Sequence, residues 1–181
     1  MKVLSVLLLS TLLVSSAGAQ VHRFNGHIDL GGAMTGGGDF ANDGGYFARA
    51  GVNIPVGREV AFSLDLSGFD HALSNHCILT TGQHCSPDFP NMAGATAGMV
   101  VELTDPFANH PITAVLGGGP FRLSNTQIPA NMSFGAEAGV EAVLYRPAHK
   151  ALTAGLRVLY VSHTDFGAFW VAPITVGLRF W

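Results

Sequence analysis

The stretch WVAPITVGLRFW, residues 170–181, decides how the chain is read. Trp170, Ala172, Ile174, Val176, Leu178 and Phe180 fall on one face of an extended strand, and Val171, Pro173, Thr175, Gly177 and Arg179 on the other. Successive strand side chains point to opposite faces. One face is therefore continuously apolar with an aromatic ring at each end, while the other is small or polar and carries a charge. A half-buried soluble strand alternates over about 4–8 residues. Alternation here persists for about 11, the length a tilted strand needs to cross a bilayer.

At the other end of the chain, Lys2 precedes the uncharged apolar run VLSVLLLSTLLVSSA, and Ala17-Gly18-Ala19 supplies a small-x-small exit before Gln20. An apolar run of about 14 residues is short for a membrane-spanning helix, and the small-residue exit fits cleavage. Residues 1–19 are expected to be a secretory signal peptide and residues 20–181 a single exported domain. Charged residues make up 12% of the chain, about half the usual share for a soluble domain. A soluble surface needs more charge than this, so much of the outside is expected to face lipid. The net charge of −3 offers no basic footprint for nucleic acid.

The same period recurs along the mature chain in segments 23–34, 46–54, 60–69, 93–103, 111–121, 132–145, 151–162 and 170–181. VAFSLDLSGF is the cleanest, with Val60, Phe62, Leu64 and Leu66 set against Ala61, Ser63, Asp65 and Ser67. MSFGAEAGVEAVLY also fits an Ala-rich helix, but Gly135 and Gly139 argue for a strand. TGGGDFANDGG, residues 35–45, is too glycine-rich for either element and is expected to turn. Connections after the second, fourth and sixth segments are about 5–7 residues and the others about 7–23, the pattern of short turns at one end of a bacterial barrel and longer loops at the other. The expected fold is all-β: an eight-stranded antiparallel up-and-down transmembrane β-barrel.

The signal peptide, the eight segments, the alternating connections and the closing aromatic pair Phe180-Trp181 together resemble the small outer-membrane β-barrel family of the outer-membrane protein A and opacity-protein type. The resemblance covers nearly all of residues 20–181 and is strongest in GAEAGVEAVLYRPAHKALTAGLRVLYVSHTDF, residues 135–166, which looks like the family's penultimate hairpin. One departure is that Phe180, not Trp181, is in phase with the apolar face. The resemblance implies insertion by the barrel-assembly machinery, contact with outer-membrane lipids, and a structural or adhesive role in which outer loops meet host or matrix surfaces. It implies no cofactor and no metal.

The faces opposite the apolar ones hold His27, Asp29, Arg49, Asp65, Glu102, Glu137, Glu141, Arg157 and Arg179, most of the scarce charge on one side of the sheet. A barrel of eight strands has room inside for side chains and little else. Such charges either form a salt-bridged plug or line a narrow, porin-like path. The plug is the expectation, because a lone buried charge costs several kcal/mol. Strand closure is expected to bring Asp29 towards Arg179.

Cys77 and Cys85 share the longest connection of an exported chain, where a local disulfide is the default. His71, His76 and His84 lie in the same stretch and make a zinc site the alternative. Residues 35–45 have the Gly-Asp composition of a calcium loop without the repeat of calcium solenoids. Some barrels of this family modify lipid A. Ser162, His163 and Asp165 cluster at a segment end. Alternation points neighbours apart, however, and VSHTDF lacks the family's His-x-Ser-Asn signature. No catalytic residue is therefore assigned.

Overall fold

The computed structural model describes residues 24–37, 44–71, 90–103, 110–124, 130–147, 149–162 and 167–181. Residues 1–19, Cys77, Cys85, His76, His84, His163 and Asp165 lie outside them. Eight strands succeed one another: β1 Asn25–Gly37, β2 Gly44–Pro55, β3 Val60–His71, β4 Asn91–Glu102, β5 Ile112–Ser124, β6 Asn131–Tyr145, β7 Lys150–Ser162 and β8 Phe169–Phe180. Each pairs antiparallel with the next, and β8 returns to β1 to close the barrel. Closure satisfies every backbone ladder without leaving a sheet edge, which a bilayer would penalise. The closing ladder runs from Gly26 opposite Phe180 to Gly37 opposite Phe169. The Phe180 ring lies over Gly26, where a methyl would overlap it.

The strands run further than the sequence period suggests. β1 continues through Gly36 and Gly37, expected to turn, because Trp170 and Phe169 of β8 supply their pairing partners. Gly37 leaves the strand at φ 91°, a conformation open to glycine. β5 likewise continues through Arg122 and Ser124, expected as loop, against Asn91–Ala93 and Asn131–Met132. At the end away from Asn25 and Phe180, here the distal end, connections 38–43, 125–130 and 163–168 are consequently shorter than 103–111 at the opposite, terminal end. Only 72–90 is long, so the expected contrast in connection length is weaker than the segment boundaries implied. The Ala-rich segment 131–145 is strand β6, and Gly135, Glu137, Gly139 and Glu141 share its inward phase.

Outward residues are apolar throughout the middle of the barrel, including Leu30, Leu66, Leu116, Val158 and Ile174. Exposed rings of Tyr46, Phe134, Tyr160 and Trp170 gather towards the distal end, and Phe24, Phe62, Tyr145 and Phe180 towards the terminal end. Ten residues from one ring to the other at about 3.3 Å each, tilted about 40°, give a band about 25 Å tall, the height expected of a lipid-facing belt.

Candidate functional site

The buried inward side chains stack in two tiers. β1, β3, β5 and β7 run from the terminal to the distal end, and β2, β4, β6 and β8 run back. Their inward residues stack accordingly. The tier nearer the terminal end and the waist is mainly polar, with His27, Asp29, Arg49, Asn53, Ser63, Asp65, Thr96, Glu137, Glu141, Thr153, Arg157 and Thr175 all buried, and Val100, Val115, Val143 and Ala151 buried in the same half. The tier nearer the distal end is apolar, a single cluster that includes Phe47, Phe69, Met92, Phe121, Leu159 and Phe169.

Register decides who meets whom in the polar tier. Asp29 sits directly across from Arg49, whose Nε donates to Asp29 Oδ2 at 2.8 Å, with Nη2 on the same oxygen. Arg49 Nη1 also lies 3.6 Å from Asp65 Oδ2. Asp65 accepts from the Ser63 hydroxyl at 2.6 Å and approaches His27 Nε2 at 2.6 Å. Across the lumen, Glu141 of β6 is the hub. It meets Arg179 Nη2 at 2.5 Å, Arg157 Nη2 at 3.3 Å and Arg49 Nη2 at 3.6 Å. Arg157 Nη1 is 3.7 Å from Glu137 Oε1, which also accepts from the Thr96 hydroxyl at 3.1 Å. The Arg49–Glu141 contact joins β2 to β6 on opposite walls, so the network spans the tube.

Asp29 and Arg179 do not meet. Asp29 is opposite Gly177 on β8 and Arg179 is opposite His27, two residues out of step. Asp29 turns to Arg49 and Arg179 turns to Glu141. Glu102 is half-buried and lines a small cleft of the terminal mouth with Glu59, Asn53 and Arg179, rather than lying at the waist.

Inward glycines make room for these side chains. A methyl at Gly51 would overlap the Asp65 carboxylate, one at Gly177 the Asp29 carboxylate, and one at Gly139 would press on Arg157. The apolar tier uses the same device, with the Phe121 ring lying over Gly94 and Gly135 and the Phe69 ring over Gly45. Weighing each strand only by its apolar face misses these phenylalanines. Phase finds them: Phe47 shares parity with Arg49, Phe69 with Asp65 and Ser67, and Phe169 with Thr175 and Arg179.

His71 closes β3, and its Nδ1 lies 2.6 Å from Asn91 Oδ1. Among the described residues no group of three His, Cys, Asp or Glu could hold a metal ion. Ser162 is exposed at the distal end of β7.

No family model matches the sequence, and no curated protein matches it significantly. Solved structures do match. The crystal structure of Neisserial surface protein A (NspA) superposes with a TM-score of 0.61 at 14% identity, covering 87% of this chain and 96% of that one. Ail, the attachment invasion locus protein of Yersinia pestis, in complex with the heparin analogue sucrose octasulfate, matches at 16% identity and a TM-score of 0.47, over 88% of this chain and 100% of that one. The N-terminal β-barrel domain of Pseudomonas aeruginosa OprF matches at 12% identity and a TM-score of 0.48, over 85% and 97% respectively. The chain has the fold of the small eight-stranded outer-membrane β-barrels.

Proposed function

We propose that the chain is an integral barrel of a bacterial outer membrane, closed to solutes, that presents its distal connections as a surface-binding scaffold. The apolar belt between two aromatic girdles supports membrane insertion, with the terminal end on the periplasmic side. The observation that carries the closed state is the double filling of the lumen: a buried ion network spans the tube below, and packed phenylalanines fill it above. A tube stopped twice carries nothing through, so chemistry with the exterior falls to the distal connections. NspA, which shares the fold, bears the description of a surface protein. On this reading the partners are outer-membrane lipids, the barrel-assembly machinery during insertion, and host or matrix surfaces at the distal end.

Planar-bilayer recording and adhesion assays test the proposal together. The purified barrel is expected to give no stepwise current. Cells displaying it are expected to bind matrix-coated surfaces more strongly than cells in which the four distal connections are replaced by short turns. Steady single-channel current would make the barrel a pore, and equal adhesion would leave only a structural role. A mass change in lipid A on expressing the protein would instead move the reading to a lipid A hydrolase.

A further inference from the structure

The terminal rim over β6, β7 and β8 concentrates positive charge beside aromatic rings. The Arg146 guanidinium lies 5.2 Å from the centroid of the Trp181 ring. The Trp181 backbone N–H donates to the His149 carbonyl at 3.3 Å, which ties the backbone of that residue to the β6–β7 turn. Lys150 opens β7 opposite Phe180 and is exposed in the outward phase. Residues 142–162 contain no Asp or Glu.

The ladder between β6 and β7 slips between Val143 and Tyr145. A bulge re-aims the side chains that follow it. Here Leu144 and Tyr145 are both exposed, at 47% and 65%, where regular alternation would turn one of them inward. The slip therefore leaves the Tyr145 phenol exposed, next to Arg146 in the chain. Trp181 and Phe180 also line a groove of about 890 Å³, whose other walls include Phe24, Leu64, Ala50 and Ala95 together with His27, Asp65 and Thr96 of the inward set. Cations, interfacial rings and an apolar groove meet at one tryptophan.

We propose that this rim binds one anionic phospholipid of the leaflet at the terminal end. Arg146 and Lys150 hold the phosphate, Tyr145 and Trp181 lie at the glycerol-ester level, and an acyl chain occupies the groove. Amphipathic rings and basic side chains favour this depth of a bilayer. The proposal rests on the membrane reading above. Its test is separable from that reading because insertion and lipid retention are measured independently.

The full chain is refolded into phosphatidylethanolamine bilayers carrying a minority of phosphatidylglycerol and then released for native mass spectrometry. Heat-modifiable migration on a gel reports insertion. The wild type is expected to retain phosphatidylglycerol well above its share of the bilayer. Arg146→Gln with Lys150→Gln is expected to lower that retention by about fivefold or more while leaving heat modification intact. Arg122→Gln, at an exposed cation near the distal end, should leave retention unchanged. Retention at the bulk ratio in the wild type, or equal enrichment in the double variant, overturns the proposal while leaving the barrel standing. Failure to insert into any bilayer overturns both readings. Enrichment of phosphatidylcholine substituted for phosphatidylglycerol would also overturn it, since a zwitterionic headgroup lacks the charge that the two cations select.

Discussion

The two tiers of inward side chains line the same narrow tube with opposite chemistry. Around the waist, Glu141 faces three arginines drawn from β2, β7 and β8, and each group depends on its partners for a tolerable burial energy. Near the distal end, Phe47, Phe69, Phe121 and Phe169 need only shape, and inward glycines on neighbouring strands supply the sockets for the Phe69 and Phe121 rings. Loss of one member is felt through several partners in the first tier and leaves a local cavity in the second. The polar tier therefore behaves as a unit, and the apolar tier as a sum of parts.

The largest effect is expected for Glu141→Ala, which leaves the buried guanidinium groups of Arg49 and Arg157 and the part-buried one of Arg179 short of their shared carboxylate. Urea unfolding in one detergent should show a loss of about 3–5 kcal/mol. Combining it with Arg157→Ala should recover part of that loss, giving a coupling of about 0.5–3 kcal/mol in a double-mutant cycle. Full additivity would mean that the arginines are solvated and the tier is no network.

Phe121→Ala comes next, because its fully buried ring rests on two glycines that cannot fill the gap. A cavity of that kind costs about 3 kcal/mol. On the proposed closed reading, neither Phe121→Ala nor Glu141→Gln alone should conduct in planar bilayers, since the other tier would still stop the tube. Current through one single variant and not the other would show which tier is the barrier and would break the idea of a double stop.

Gly51→Ala places a methyl against the Asp65 carboxylate and the Leu64 carbonyl, and overpacking there should cost about 1–3 kcal/mol. Gly57→Ala in the β2–β3 turn meets nothing within 4 Å, and its effect should stay within about 0.5 kcal/mol. Equal losses for the two would mean that the inward glycines are not sockets.

Val158→Ala, adjacent to Arg157 but on the outer face, should cost on the order of 1 kcal/mol, because lipid or detergent fills in beside the shortened side chain. A loss as large as that for Glu141→Ala would place Val158 in a protein contact rather than against lipid.

Period 2 was enough to read eight strands, their order and which side chains share a face, because alternation along a strand follows from local backbone geometry alone. Strand ends were harder to read. Gly36, Gly37, Arg122 and Ser124 look like turn residues by composition, yet ladder partners on neighbouring strands hold them extended. The charged residues could be placed inside from phase, but not paired. Asp29 goes to Arg49 and not Arg179 because of a two-residue offset in the β1–β8 register. Phe121 is legible in phase, but an aromatic ring on the polar face acquires its meaning only once its neighbours across the tube are known.

The sequence by itself determined the inward and outward sets, because each strand's face is a property of its own residues. Its low charge and long alternating runs also determined that the outside would be apolar. Only closure of the sheet decided how the inward set sorts by height. Antiparallel neighbours bring the early residues of one strand beside the late residues of the next. Glu141 of β6 therefore reaches Arg49 of β2 on the far wall, and Phe69 of β3 joins Phe169 of β8, although no local pattern links them. Their contact energies come from positions up to a hundred residues apart, and register and barrel closure set those positions.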